Sequence, residues 1–407
     1  MEPHALLQDQ LTIFIYLSGL VALIFWLGEQ KALKPIFHFF PPLIFCYFMP
    51  MVSTTIGIIP DTSPLYGWFS KTFLLPTLIL LLLSANIPAI AKLGPKAITI
   101  MLAGSLGIII GAPIALVLFS SHLDANAWQN ISALVASWTG GSANMFALKE
   151  GFQIPDEFFA PMPIVDTVVG YGWMGVVISL AGYQAKFAKK FNIDVSILKE
   201  ISKHIEDNVL SKRRHIDIKD LAILMGTAFV LGHLCFKAGI IAYDFIEPLF
   251  ASSLPVILDI LKPYVLSIII VTFVGLILSM TPMSRYEEVG ASRIGYYMLY
   301  LILTMYGSQT NLMAVVNTPW YVGVGVVMIV FHIIFLYTAT RLLRAPLFLF
   351  AVGSQANVGG PPTASIVAAT YQPALAPVGI LLGVFGGVIG TYCGLIASFL
   401  CRFVLGI

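Results

Sequence analysis

The sequence predicts an all-α polytopic membrane protein made of two inverted repeats, each with about five transmembrane helices. Three observations predict it: an apolar composition, long apolar stretches, and an interrupted stretch at a similar place in each half. Hydrophobic residues make up 58% of the 407 residues and charged residues 10%, whereas soluble proteins carry about 25% charged residues. The composition therefore indicates a chain whose solvent is mostly lipid.

The predicted spans are helices because the apolar stretches run for about 20 residues without the alternation of a barrel strand. In the first half we predict spans at 11–27, 35–58, 72–91, 97–120 and 163–186. In the second half we predict spans at 219–241, 263–282, 294–315, 319–340 and 375–403.

An interrupted apolar stretch lies between the fourth and fifth span of each half, at 131–159 and at 345–372. Glycine lets the backbone turn or approach a neighbour closely, and proline removes an amide donor. We therefore predict a broken or re-entrant hairpin in each half. The residues that break the two hairpins are Gly140, Gly141, Gly359, Gly360 and Pro361.

A basic linker at 187–218 separates a first membrane repeat at 1–186 from a second, inverted repeat at 219–407. The hydrophilic stretch from 186 to 220 carries nine Lys/Arg and six Asp/Glu, so the positive-inside rule places it in the cytoplasm. Five spans on each side then put both termini in the periplasm of a multi-pass inner-membrane protein. Inverted repeats of this kind are a common transporter architecture.

Four of the nine Asn residues recur shortly after a serine, two near the ends of the third spans and two in the hairpins. Side-chain and carbonyl oxygens at a broken helix suit a small hard cation such as Na⁺, and amides at a half-helix N-terminus suit an anionic group. Interhelical packing is the alternative role for these residues. The residues of this pattern are Asn86, Ser142, Asn144, Asn311, Ser354 and Asn357.

Asp166 is the acidic residue within the predicted span 163–186. An ionised Asp at the membrane centre costs about 2.5–3.5 kcal/mol, so it should face a cavity or a partner. It is expected to act as a cation ligand or a proton carrier, with Thr167 adding a hydroxyl group. The alternative is a protonated Asp166 bonded to a neighbouring backbone. The second half has no counterpart to Asp166, so the predicted site is asymmetric.

The chain lacks the HExxH, GxSxG and Walker motifs, so we expect no enzyme, no catalytic residues and no cofactor other than Na⁺. A net charge of +2 and four scattered cysteines indicate neither nucleic-acid binding nor a metal centre. The expected partners are the lipid bilayer and a small-molecule or ion substrate. We predict a Na⁺- or H⁺-coupled secondary transporter of a small solute. The alternatives are a cation antiporter or channel without organic substrate, and a non-transporting membrane scaffold.

Three motifs resemble the YjcL-like family of membrane proteins of unknown function: WTGGSAN at 138–144, VDTVV at 165–169 and SQANVGGP at 354–361. More distantly, the plan is similar to the 2-hydroxycarboxylate and sodium/glutamate carriers. That resemblance implies a homodimer and an elevator motion, in which the hairpins move with the third and fifth spans. Those carriers place an arginine near the second hairpin. Here no Lys or Arg lies between Arg344 and Arg402, which puts a citrate-like substrate in doubt.

Overall fold

The structure is a computed structural model that describes most of the chain as helices. The described ranges are 5–39, 42–85, 87–124, 126–193, 215–251, 255–309, 319–372 and 375–407. Within these ranges every regular element is a helix. The all-helical part of the predicted fold class is therefore confirmed for the described residues.

The first half contains eleven described α-helices, joined by short turns. They are α1 (Gln10–Glu29), α2 (Lys34–Phe39), α3 (Pro42–Thr55), α4 (Pro64–Leu82), α5 (Ile87–Ala91), α6 (Pro95–Leu118), α7 (Ala127–Gly140), α8 (Ser142–Phe152), α9 (Asp156–Phe159), α10 (Pro161–Ser179) and α11 (Gln184–Phe191).

The second half begins at α12, where the Asp217 side chain accepts from the Ile218 amide and forms a capping box with Asp220. Its described helices are α12 (Ile218–Phe250), α13 (Pro255–Ile260), α14 (Pro263–Ser279), α15 (Ala291–Ser308), α16 (Trp320–Leu342), α17 (Leu347–Val358), α18 (Gly360–Tyr371) and α19 (Ala376–Leu405). The greater part of the predicted linker, 194–214, lies outside the described residues.

Seven described helices are long and apolar enough to cross a membrane, or eight if α14 is joined to the 3₁₀ segment Pro282–Val289 after a 90° bend. Ten spans were predicted. The difference falls on 35–58, 263–282 and 294–315. Two of these stretches contain α3 and α14, which are only 14 and 17 residues long, whereas about 20 are needed for a crossing.

Helix α4 begins eight residues before the predicted span 72–91 and ends at Leu82. Its start is explained by two N-terminal signals, because the Ser63 hydroxyl accepts from the Leu65 amide at 3.3 Å and Pro64 occupies the first helical position. The start predicted from hydrophobicity alone was therefore wrong.

Each predicted hairpin is a pair of helices that break at glycine. Helices α7 and α8 meet at Gly141, whose φ is +89°, and α17 and α18 meet at Gly359 and Gly360, where Gly360 has φ +72°. These positive φ values favour glycine because side chains with a Cβ rarely adopt them. We call α7–α8 the first broken pair and α17–α18 the second broken pair.

The described helices form two packed groups. Helices α3, α4, α12, α14 and α15 pack on one another, and the second group consists of α6, α7, α16, α17, α18 and α19. One helix of each broken pair, α7 or α17, packs on α6, the predicted fourth span of the first half, and α17 also contacts α16, that of the second half. Helix α8 packs instead on α14 and α19. The third spans, α4 and α15, belong to the other group. This arrangement differs from the distant carrier resemblance, which implies that the hairpins move together with the third and fifth spans.

Glycines of the last helix, α19, contact both broken pairs. A Cβ on Gly390 would lie 2.5 Å from the Gly140 Cα, and one on Gly383 would lie 2.5 Å from the Pro361 nitrogen. Only glycine permits approaches this close. One helix therefore supports the break of each pair.

Candidate functional site

A cavity of about 300 Å³ lies where the two broken pairs meet. Its lining includes the break residues of both pairs, Gly140–Asn144 and Gly359–Thr363. The two breaks are neighbours, because a Cβ on Gly360 would lie 3.9 Å from the Gly141 Cα. The rest of the wall comes from Phe37, Pro42, Leu43, Leu78, Leu81, Leu82, Ser84, Tyr171, Met174, Thr272, Tyr296, Leu299, Tyr300, Ile366, Gly383, Val384 and Gly387.

Asp166 lies behind the first broken pair and is 7% exposed. The Ser137 hydroxyl donates to one carboxylate oxygen at 2.9 Å, and the Ser142 hydroxyl donates to the other at 3.4 Å. Ser142 also lines the cavity, so one side chain connects Asp166 with it. Within the described residues no cationic side chain forms an ion pair with Asp166. Its charge therefore has no protein counter-ion there.

Asn144 lines the cavity from the first turn of α8, and its amide is fully engaged. Its Nδ2 donates to the Gly140 carbonyl at 2.8 Å and to the Gly387 carbonyl at 3.2 Å. Its Oδ1 accepts from the Thr391 hydroxyl at 2.6 Å. Asn144 thus joins the break of the first pair to α19, and in this state its oxygen already has a partner.

Asn357 is fully buried and lies outside the cavity lining. Its Nδ2 donates to the Met101 carbonyl at 2.8 Å, and its Oδ1 accepts from the Ser105 hydroxyl at 2.9 Å. It stands before its break on α17, whereas Asn144 stands after its break on α8. The two asparagines therefore hold different places in their pairs, although the sequence pattern treats them as equivalent.

The remaining predicted site residues are distributed differently. The Thr167 hydroxyl donates to the Pro163 carbonyl one turn earlier, at 2.8 Å, and Ser354 is buried away from the cavity lining. Asn86 and Asn311 lie outside the described residues. The structure brings together Gly140, Gly141, Ser142, Asn144, Gly359, Gly360 and Pro361 at the cavity, with Asp166 adjacent. A ligand role for each residue stays a prediction.

The profile of a family described as "Protein of unknown function (DUF819)" matches residues 15–403. The chain belongs to this family. The matched residues, 15–403, include both broken pairs, the residues that line the cavity and Asp166.

A curated relative, "Uncharacterized membrane protein YjcL" of Bacillus subtilis (strain 168), is 26% identical over 355 residues, which cover 84% of this chain and 85% of the relative. The resemblance to the YjcL-like family is therefore confirmed. Neither the DUF819 description nor that of YjcL gives an activity.

Three tyrosines of the cavity were missed by the sequence analysis. Tyr171 comes from α10, and Tyr296 and Tyr300 come from α15. The last two are four residues apart, a spacing that puts side chains on one face of a helix. That spacing was the available signal, but it does not show which face of α15 meets a cavity.

A buried chain of hydrogen bonds holds the second broken pair to three other helices. The Trp173 indole N–H donates to the Ser354 hydroxyl at 2.7 Å, and Ser354 lies 2.7 Å from His332 Nε2. His332 Nδ1 lies 3.0 Å from the Gly104 carbonyl. A carbonyl only accepts, so Nδ1 carries a proton, and in a neutral imidazole Nε2 then accepts from Ser354. His332 thus links the second broken pair to α6 and α10 as a structural residue.

Replacing His332 by Phe is expected to lower the free energy of unfolding by about 1–3 kcal/mol, because the buried Ser354 hydroxyl loses its acceptor. Thermal unfolding followed by tryptophan fluorescence would measure the effect. His233→Phe is the matched control, since His233 is exposed on α12. Equal stability of the two variants would contradict a structural role for His332.

Proposed function

We propose that this chain is an ion-coupled secondary transporter that binds a small solute in the cavity between the broken pairs. The observation that carries the proposal is that both helix breaks line one cavity in a membrane-spanning fold. Non-helical backbone at membrane depth is tolerated where it is buried in protein or lines a cavity. Discontinuous helices whose ends meet at a central site are characteristic of secondary transporters.

Asp166 is the proposed ion site. A buried carboxylate without a counter-ion is costly, so binding a proton or a cation such as Na⁺ would stabilise it. Two hydroxyl oxygens already contact its carboxylate, at 2.9 and 3.4 Å. One of them belongs to Ser142, which lines the cavity. Binding of an ion at Asp166 would therefore change the position or hydrogen bonding of a side chain in the cavity wall. This contact supplies a physical route from ion binding to solute binding.

The proposed architecture is two inverted repeats, 1–186 and 219–407, with a cytoplasmic linker, periplasmic termini and an inner-membrane location. Two features support it. Each half contains one broken pair that precedes its last membrane helix, α10 or α19, and in the first half the short helix α9 lies between them. Each half also begins with a long helix, α1 or α12, in whose apolar 18-residue segment only 22% of the residues are buried. Such helices suit contact with lipid or with a second subunit, as a homodimer would need.

A cation antiporter or channel without an organic substrate is the second candidate. It is favoured by the position of Asp166 as an unpaired buried carboxylate next to a cavity whose described lining has no charged side chain. Ion flux through liposomes that contain no organic solute would favour this candidate. Ion flux that appears only when a solute is present would favour the transporter.

The proposal is tested by thermal unfolding of the purified protein across a Na⁺ titration, with choline replacing Na⁺ at constant ionic strength. A ligand that binds only the folded state stabilises it by about 2.7 kcal/mol at a hundredfold excess over its Kd. We expect a saturable, Na⁺-specific rise if Na⁺ is the ion, and a rise on acidification if the ion is a proton. A protein that responds to neither would contradict ion coupling.

A further inference from the structure

The lining of the cavity is uncharged. Among the described residues that form its wall there is no Asp, Glu, Lys, Arg or His. Asp166 stands behind the wall, with each carboxylate oxygen held by a serine hydroxyl. A solute with a full charge would therefore enter a buried site without an opposite charge on the wall.

Burial of an unpaired ion costs several kcal/mol. A source of partial positive charge at the breaks is the N-terminus of α8, where the first-turn amides of Ser142 and Ala143 have no intrahelical acceptor and no side chain caps the helix. A helix N-terminus carries about half a charge. The facing helix α18 adds little, because its second and third residues, Pro361 and Pro362, have no N–H. These groups suit a neutral hydrogen-bond acceptor.

Three hydroxyl groups in the wall are available to a ligand. Tyr171, Tyr296 and Tyr300 line the cavity, and none of them forms a hydrogen bond with another residue of the described ranges. Each phenol can donate and accept. A polar group of the solute would give these hydroxyls the partners that the described protein does not.

The remainder of the wall is apolar and the space is small. Leucines from three helices contribute most of the apolar side chains, together with Met174, Ile366 and Val384. A volume of about 300 Å³ is at the lower end of the range of roughly 300–1,000 Å³ seen for ligand pockets. The space and its wall therefore fit a short apolar body with a single polar group.

We propose that the cavity binds a small uncharged amphipathic solute, with one hydrogen-bonding head such as an amide and a short aliphatic body. The head lies between the tyrosine hydroxyls and the N-terminus of α8, and the body lies against the leucines. This inference rests on the proposed function in taking the cavity as the solute site. It names the chemical class of the solute.

The test uses three series of straight-chain compounds with matched chain lengths: primary amides, carboxylates and alkylammonium ions. The readout is thermal unfolding of the full-length purified protein at fixed pH and ion concentration. We expect saturable stabilisation by the amides, with an optimum chain length, and none by the two charged series. Stronger stabilisation by carboxylates or ammonium ions, or no stabilisation by any series, would overturn the inference.

Tyrosine variants locate the bound amide. Tyr296→Phe and Tyr300→Phe each remove one hydroxyl and keep the ring, so we expect amide affinity to fall about two- to tenfold. Tyr297→Phe is the control because Tyr297 is on the same helix and 53% exposed. Equal amide affinity in all three variants would overturn the placement of the head.

Uptake into liposomes separates the two proposals. Amide binding without ion-driven uptake would leave the solute class standing and contradict transport. Ion-driven uptake of a charged solute, with no amide binding, would leave transport standing and overturn the solute class.

Discussion

Replacing Asp166 by Asn is expected to remove the response of the protein to the coupling ion that we propose. Asn has nearly the size of Asp but neither takes up a proton nor supplies a negative charge to a cation. The ion-dependent stabilisation, about 2.7 kcal/mol at a hundredfold excess over Kd, should disappear, and ion-driven uptake should fall to background. The variant should still fold, because the substitution removes an unpaired buried charge.

Thermal unfolding across Na⁺ concentration and pH measures the first effect, and uptake into liposomes measures the second. Glu157→Gln is the matched control, since it neutralises an exposed carboxylate on α9, close in sequence to Asp166. An Asp166→Asn protein that kept both the ion response and the uptake would place the ion site elsewhere.

Replacing Gly390 by Ala is expected to destabilise the protein by about 1–3 kcal/mol through overpacking. The new Cβ would lie 2.5 Å from the Gly140 Cα and 2.8 Å from the Ala136 carbonyl oxygen. Both are backbone atoms, so no side chain can rotate away. The gain in helix propensity from Gly to Ala, up to about 1 kcal/mol, offsets only part of this cost.

The matched control is Gly387→Ala on the same helix, where the nearest atom to the new Cβ is the Gly140 carbonyl oxygen at 3.7 Å. That distance is an ordinary contact, so its stability should stay the same or rise slightly. Unfolding in a graded series of denaturing detergent would compare the two variants. Equal stabilities would show that α19 moves aside at little cost.

The helix breaks could be predicted from the sequence because their cause is local. Gly141 and Gly360 adopt backbone angles that favour glycine, and Pro361 and Pro362 cannot donate to a continuing helix. Asp166 could be chosen as a candidate site residue for a similar reason, since burying a carboxylate in an apolar stretch costs free energy whichever way the side chain points. The helix bounds were less accurate where a cap determined them, as at Ser63 and α4.

The composition of the cavity could not be predicted, because it depends on how distant helices pack. The spacing of Tyr296 and Tyr300 predicts that they share one face of α15. It does not predict which helices or which cavity that face contacts. The Ser-x-x-Asn pattern likewise does not show that Asn357 turns toward Met101 and Ser105 on α6. These hydrogen bonds join residues that are 256 and 252 positions apart in the sequence. No pattern of neighbouring residues can predict contacts at that separation.

In the proposed transporter, the glycines of α19 would restrict how the cavity opens to either side of the membrane. Gly383 meets the second break and Gly390 meets the first, and seven residues of helix span about 10 Å. Because both breaks contact the same helix, neither break can move away from the cavity alone without losing its contact with α19. We therefore expect access to alternate by displacement of the opposite wall, α4 and α15, which belong to the other packed group. Cross-links between that wall and α19, rather than between the two breaks, are the ones that should arrest the cycle.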